Sequence, residues 1–251
     1  MGEKVDKQIK KKKLGLVIIL LLLFLSTFII LYTQTTFFNV KNVDVIGNST
    51  IEKEKIIMAS GLIMGENIFK VNTSLMEENL LLHPYIKSIE VSRKFPNKIK
   101  IDVLERRELS VISYVNSYIY IDEEGIVLNI LSKRKEDKLP ILMGLNIEKV
   151  NIGEKIVLNR DKNIDDILNF LDTCKKITLF KKIRKLEFNK DFKVNMYLRQ
   201  DTEVAIGYLN NVKYKLEFLN SIIDDSKKKN IKYKKIDLSK GDDAIIELYE
   251  K

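Results

Sequence analysis

Hydrophobic positions follow three spacing regimes along this chain. The first regime is continuous. Leu14 to Tyr32 (LGLVIILLLLFLSTFIILY) carries no charge and no proline. Nineteen helical residues rise about 28 Å, close to the ~30 Å hydrocarbon core of a bilayer. A helix in water keeps a polar face, and this segment has none. Ser26 and Thr27 can bond back to their own helix backbone, so they do not disqualify it. A cleaved signal sequence is the competing reading. Its apolar core runs to about 15 residues and ends in a small-x-small site. This run is longer, and the TQTTFFNV that follows offers no such site. It reads as a permanent anchor over 14–32.

The second regime spans 37–105. Val40, Val43 and Val45 alternate as a strand ended by Ile46-Gly47-Asn48. Ser49-Thr50-Ile51-Glu52 predicts a capping box, with Ser49 as N-cap. Ile56, Ile57 and Ala59 follow on one side of a short helix, with Gly61 beyond its end. Asn72-Thr73-Ser74 caps a second helix carrying Leu75, Met76, Leu80 and Leu82, which Pro84 stops. Ile89 and Val91, then Ile99, Ile101 and Val103, alternate with polar residues as two strands. Arg93-Lys94-Phe95-Pro96-Asn97 connects them. The order is β-α-α-β-β, a small sheet with two helices on one face.

The third regime, 106–251, mixes both periods. Ser113 to Ile121 reads as a strand. Asp122-Glu123-Glu124-Gly125 is a turn and Ile126-Val127-Leu128 the returning strand. Ser132 to Lys138 is a charged loop leading to Leu139-Pro140-Ile141-Leu142. Ile164, Ile167, Leu168 and Leu171 mark an amphipathic helix that includes Cys174. Strands follow at 183–188, 194–198 and 204–206. A helix then carries Val212, Leu216, Leu219, Ile222 and Ile223, and strand signals return from Ile236 to Leu248. With no linker between them, the third regime is expected to continue the sheet of the second.

Charge orients the chain. The first thirteen residues hold six lysines (Lys4, Lys7, Lys10, Lys11, Lys12, Lys13) against Glu3 and Asp6, and no charge follows the apolar run until Lys41. The positive-inside rule leaves 1–13 in the cytoplasm as a basic tail and the rest extracytoplasmic. That tail takes up much of the net charge of +9. The remainder is only mildly basic, so the total is no argument for nucleic acid.

Candidate chemistry is thin. One Cys excludes an internal disulfide, and one His excludes a two-His metal site. GxSxG, P-loop and GxGxxG patterns are absent. Asp122-Glu123-Glu124 sit in a turn and not as an acid-base pair across a cleft. Asp161, Asp165 and Asp166 suit a polar first helical turn. Asp224-Asp225 and Asp242-Asp243 fall short of a calcium loop. His83, before Pro84, reads as structural. Ser92 and Lys94 as a peptidase dyad lack any supporting motif. Cys174 reads as a small buried hydrophobe. Lys227-Lys228-Lys229, Lys232, Lys234 and Lys235 form a solvated helix end and loop, or a surface for anionic lipid or wall polymer. Catalytic, cofactor and metal residues are therefore expected to be none.

Several stretches carry a likeness beyond periodicity. Val43-Asp44-Val45-Ile46-Gly47-Asn48, Gly65-Glu66-Asn67-Ile68-Phe69, Pro84-Tyr85-Ile86-Lys87, Val91 to Asn97 and Ile101-Asp102-Val103-Leu104-Glu105-Arg106 stand in order. Ile121 to Gly125, Leu139 to Gly144 and Ile236-Asp237-Leu238 follow, with Lys213, Lys215 and Leu216 in a helix before them. Together they resemble the bacterial cell-division family FtsQ/DivIB.

The resemblance implies an α+β chain with a single-pass transmembrane helix (14–32), a POTRA domain (37–105) and a β domain (106–251). The β domain is expected to be mixed α/β with a mostly antiparallel sheet. It implies a non-enzymatic divisome scaffold in the plasma membrane, expected at the division septum. Its partners would be FtsL-type and FtsB/DivIC-type bitopic proteins and other divisome membrane proteins. Partners would pair with late strands by β-augmentation, here Ile236, Asp237, Leu238 and Ser239 with Ala244, Ile245 and Ile246. Arg93, Lys94, Phe95 and Pro96 are a second candidate docking surface, beside the plain reading as hairpin chemistry. Ser239 stands where the family usually has Arg, and Lys240 where an aromatic is common. An edge with Lys beside it also reads as a guarded strand. The chain ending soon after Leu248 implies no long C-terminal tail. Two other functions remain: a membrane-anchored extracytoplasmic hydrolase, and a POTRA-bearing transport or sporulation adaptor.

Overall fold

The computed structural model describes residues 2–136, 138–159, 163–240 and 243–249, with backbone alone for 2–11 and 32–34. Asp161 and Asp242, named above as acidic candidates, lie outside the described residues. The chain divides into two compact units: Met1–Leu82 with Ile86–Glu105, and His83–Tyr85 with Arg106–Lys251.

The first unit opens with α1 (Gly2–Gln34). Within it Lys12–Leu31 is apolar enough to cross a membrane, and none of that stretch is buried by the protein. Leucines and isoleucines on every side of the helix stand open, from Leu14 to Leu31. Ser26 and Thr27 both donate to the Leu23 carbonyl, so their hydroxyls present no free polar group. A helix apolar all round is stable only where lipid or protein covers it, and its length is compatible with a single-pass anchor.

Beyond it come β1 (Asn42–Ile46), α2 (Lys53–Ala59), α3 (Thr73–Leu81), β2 (Ile86–Lys94) and β3 (Lys98–Glu105). The sheet order is β1-β3-β2, with β1 parallel and β2 antiparallel to β3. Ile99, Ile101 and Val103 on the central strand are buried, as are Ile56 of α2 and Met76 and Leu80 of α3. Asn72 caps α3 by accepting from the Leu75 N–H.

The capping box at Ser49 does not form. α2 begins four residues later, with Glu52 as an N-cap whose side chain makes no capping bond. The donors of this turn are taken instead by Glu105. Its Oε2 accepts from Ser49 Oγ at 2.8 Å and the Thr50 N–H at 2.7 Å, and its Oε1 from the Ile51 N–H at 2.9 Å. Burial alone would raise the Glu105 carboxyl, but these donors hold it at about 2. An ionised carboxylate satisfies three donors where a local hydroxyl satisfies one.

The second unit contains β4 (Ser110–Tyr114), β5 (Ser117–Ile121), β6 (Val127–Leu131), β7 (Ile141–Met143), β8 (Ile147–Lys149), β9 (Val157–Leu158), α4 (Ile164–Lys176), β10 (Ile183–Phe188), β11 (Val194–Leu198), β12 (Glu203–Gly207), α5 (Val212–Lys229), β13 (Tyr233–Asp237) and β14 (Ile245–Leu248). It builds a sheet of its own, ordered β14-β13-β12-β11-β10-β7-β4-β5-β6, and does not extend the three-stranded one. Most of its pairs are antiparallel; β12–β13, β7–β10 and β4–β7 are parallel. Ile167, Leu171 and Cys174 of α4 and Leu216 and Leu219 of α5 share one buried cluster with Ile112, Leu142, Leu186, Met196, Val204 and Ile236 of the sheet.

Two elements differ from the sequence pattern. The run Ser113 to Ile121 is two strands, joined at Val115 and Asn116, both with positive φ (42° and 59°). Asn-Gly or Asp-Gly normally signals that turn, and Val in its first position conceals it. The short ribbon β8–β9 is too brief for alternation to reveal.

Candidate partner-binding edge

Ile236, Asp237, Leu238, Ser239, Ala244, Ile245 and Ile246 come together at the end of the nine-stranded sheet, but in unlike environments. Ile236 and Leu238 are buried to 0% and 2% exposure, so their side chains belong to the core. Asp237 faces outward and accepts from the Ser239 N–H (2.8 Å) and Oγ (2.6 Å). Burial would raise its carboxyl, but those donors and nearby Lys240 and Lys235 hold it below the ordinary range. Ala244 packs against the core, while Ile245 is 55% and Ile246 39% exposed.

β13 is an inner strand, held between β12 and β14, and β14 is the terminal one. The direction of its backbone groups follows from a single bond. The Leu238 N–H donates to the Ala205 carbonyl of β12 at 2.8 Å. Along a strand the backbone groups point alternately to the two sides. Ile236 therefore also points to β12, and Lys235 and Asp237 point to β14. Their opposite numbers are Glu247 and Ile245, and Ile246 lies opposite Ile236. The N–H and C=O of Ile246 are thus directed to the open side. The end of the strand is tied down by Tyr249, whose hydroxyl donates to the Asp201 carbonyl at 3.0 Å.

The second candidate surface separates as well. Arg93 is exposed but bonded back to its own unit, donating from Nε to the Ile68 carbonyl (3.0 Å) and from Nη2 to the Val71 carbonyl (2.6 Å). It fixes the 68–71 loop. Lys94 and Phe95 at the hairpin stay exposed, Phe95 to 58%.

The residues weighed for chemistry have structural positions. Asp122 is 3% exposed. Its Oδ1 accepts from the Glu124 and Ile126 N–H groups, and its Oδ2 meets Arg106 at 2.6 Å, as does Glu124. His83 Nδ1 accepts the Tyr85 N–H. Burial pushes the Cys174 thiol far up, so it carries little thiolate at neutral pH. Lys227, Lys228 and Lys229 form the last turn of α5, where they complement its dipole.

A cluster the sequence did not announce joins Tyr85, Glu108 and Lys135. The Tyr85 hydroxyl donates to Glu108 Oε1 at 2.5 Å, and Lys135 Nζ reaches the same oxygen at 2.7 Å. Burial and the Glu108 contact push the Tyr85 phenol up to about 12.

Comparison with known proteins gives this arrangement its setting. Residues 38–106 match the model of the POTRA domain, FtsQ-type. Residues 112–239, half of the chain, match that of the cell division protein FtsQ/DivIB C-terminal region, which ends before β14. The cell division protein DivIB of Clostridium botulinum (strain Hall) is 26% identical over 230 residues, 92% of this chain and 90% of that one. DivIB of Clostridium tetani is 36% identical over 135 residues, 54% of this chain and 51% of its own length. The solved extracytoplasmic domain of DivIB from Geobacillus stearothermophilus is 15% identical, with a TM-score of 0.33 over 51% of this chain and 98% of that one; so low a score carries no weight. On the two matches that run in order from residue 38 to residue 239, the chain belongs to the FtsQ/DivIB family of bacterial cell division proteins.

Proposed function

We propose that the chain is a non-catalytic scaffold of the division septum. Residues 1–13 form a cytoplasmic basic tail, 14–32 a transmembrane helix, 37–105 a POTRA domain and 106–251 a β domain on the extracytoplasmic side. The basic tail and the uncharged stretch after the helix support this orientation. The β domain captures FtsL-type and FtsB/DivIC-type bitopic partners by adding a partner strand to its sheet.

The observation that carries this reading is the character of β14. It is short, terminal and apolar at three of its four positions, with Ile245, Ile246 and Leu248 between 39% and 56% exposed. A strand edge guarded against association carries charge, above all Lys, or Pro; IIEL has no Lys and no Pro, and its one charge is Glu247. Ile236 and Leu238 contribute by holding β13 in place, and Asp237 and Ser239 by closing the turn that follows it.

A fluorescent fusion should gather at mid-cell before constriction, and affinity capture from solubilised membranes should recover the two bitopic partners. Uniform membrane fluorescence in dividing cells would remove the septal role. Mid-cell recruitment without partner recovery would leave the role and remove the capture.

A further inference from the structure

The end of the membrane helix runs into an unbroken row of aromatic rings. Phe37 and Phe38 meet edge to face at 4.9 Å, Phe38 meets Phe69 at 5.1 Å, and Phe69 meets Phe95 at 5.1 Å. These rings come from three separate places in the first unit: the turn after α1, the 61–69 loop and the β2–β3 hairpin. Backbone bonds fasten them together. The Ile68 N–H donates to the Phe38 carbonyl, and the Lys41 N–H to the Asn97 carbonyl. The row is not a core. Phe37 is 54% exposed, Phe69 37% and Phe95 58%. Leaving three large rings partly in contact with water forfeits roughly half of the ~1.5–3 kcal/mol that full burial of each would contribute, so a contiguous patch of this kind marks an interaction surface.

The chain itself points to the occupant. Phe37 follows the last residue of α1, Gln34, by three positions, a reach of about 11 Å at most. The headgroup layer beyond the hydrocarbon core is about 6 Å thick. Once the helix spans the membrane, the ring row starts at or beside the lipid surface. Aromatic side chains favour that depth. Charge agrees: exposed Lys70 and Lys94 adjoin Phe69 and Phe95, and no acidic residue occurs between Leu14 and Val43. Anionic headgroups meet lysine and apolar ring on one surface.

We infer that the first unit rests on the outer lipid surface through Phe37, Phe38, Phe69 and Phe95, with Lys70 and Lys94 on the headgroups. The contact fixes the height and tilt of this unit above the membrane. The inference rests on the anchor reading of α1, and its test separates the two.

The chain has no tryptophan, so single substitutions report cleanly. The protein is reconstituted in two sets of phosphatidylcholine and phosphatidylglycerol vesicles, one with acyl chains brominated near the headgroup, which reads the ring row, and one brominated near the chain end, which reads the anchor. Phe24→Trp reports the anchor. Phe95→Trp and Phe37→Trp report the ring row, the second lying outside every strand should the first disturb the hairpin. Leu82→Trp is the water-side control: it is 82% exposed and stands near Ile86, the opposite end of β2 from the hairpin, about 26 Å away. Expected is a blue-shifted emission, quenched about twofold or more for the ring-row probes, with Leu82→Trp unquenched. If Phe24→Trp is quenched and both ring-row probes emit as in water, the anchor stands and the inference falls, leaving a protein as the occupant of the patch. Equal quenching at Leu82→Trp also overturns it, because the contact then has no preferred face. An unquenched Phe24→Trp removes the anchor and the inference together.

Discussion

Ile236 and Ile246 lie directly opposite each other across the last ladder of the sheet, the first wholly buried and the second 39% exposed. One is core and the other is edge, although one register position joins them. The pair separates a residue that holds the sheet together from one that faces solvent at its edge.

That separation makes the edge testable without unfolding the protein. Ile246→Pro removes an N–H directed to the open side and leaves the Asp237–Ile245 pairing intact, and proline is tolerated on an edge strand. Capture of the FtsL-type and DivIC-type partners should weaken about tenfold or more, the equivalent of about 1.4 kcal/mol, while the melting temperature stays nearly constant. Ile236→Ala should instead destabilise the fold by about 2–5 kcal/mol. Undiminished co-purification of partners with Ile246→Pro would show that they do not bind through this edge.

Glu105 gives a pH dependence with a definite sign. Its folded carboxyl lies at about 2 against an ordinary 4.5. A depressed value means stability that is present above about pH 4.5 and is lost as pH falls toward 2. The shift corresponds to about 3 kcal/mol. Glu105→Gln should remove most of that at neutral pH and flatten the acid limb of the unfolding curve. Faster amide exchange at Thr50 and Ile51 in the variant would locate the effect. An unchanged acid limb would assign acid sensitivity to other carboxylates.

Gly144 and Gly153 share a positive φ but not their surroundings. A Cβ at Gly144 would lie 2.0 Å from the Phe188 carbonyl oxygen, whereas at Gly153 nothing stands within 4 Å. Gly153→Ala should therefore cost about 1 kcal/mol of backbone strain, and Gly144→Ala at least about 2–3 kcal/mol because β7 and β10 must part. Denaturant midpoints measured side by side decide it; equal losses would mean that the close approach contributes nothing.

Cys174 should be inert. It is 0% exposed among the α4 core residues, and burial raises its thiol. A maleimide should fail to label the native chain and label it fully in concentrated guanidinium. Rapid native labelling would mean that α4 opens locally.

Much of this molecule is legible as local pattern. The apolar run at 14–32, the β-α-α-β-β order of the first unit and the turn at Asp122 each depend on residues close in sequence, where periodicity, caps and turn chemistry act. Ser49 shows where such reading stops. The local motif was complete, and a carboxylate 56 residues away took its donors, because an ionised, nearly buried acceptor outweighs a neutral neighbour.

The sequence by itself determined most of the helices and strands, the long apolar run at 14–32 and, through the order of its motifs, the family. Only the tertiary structure decided strand order. β14 (IIEL) is more apolar than β13 (YKKID), yet parallel pairing with β12 puts β13 inside the sheet and leaves β14 at its end. Side-chain alternation records which face of a strand is buried. It does not record which neighbour satisfies the backbone, and that non-local pairing settles which edge is open.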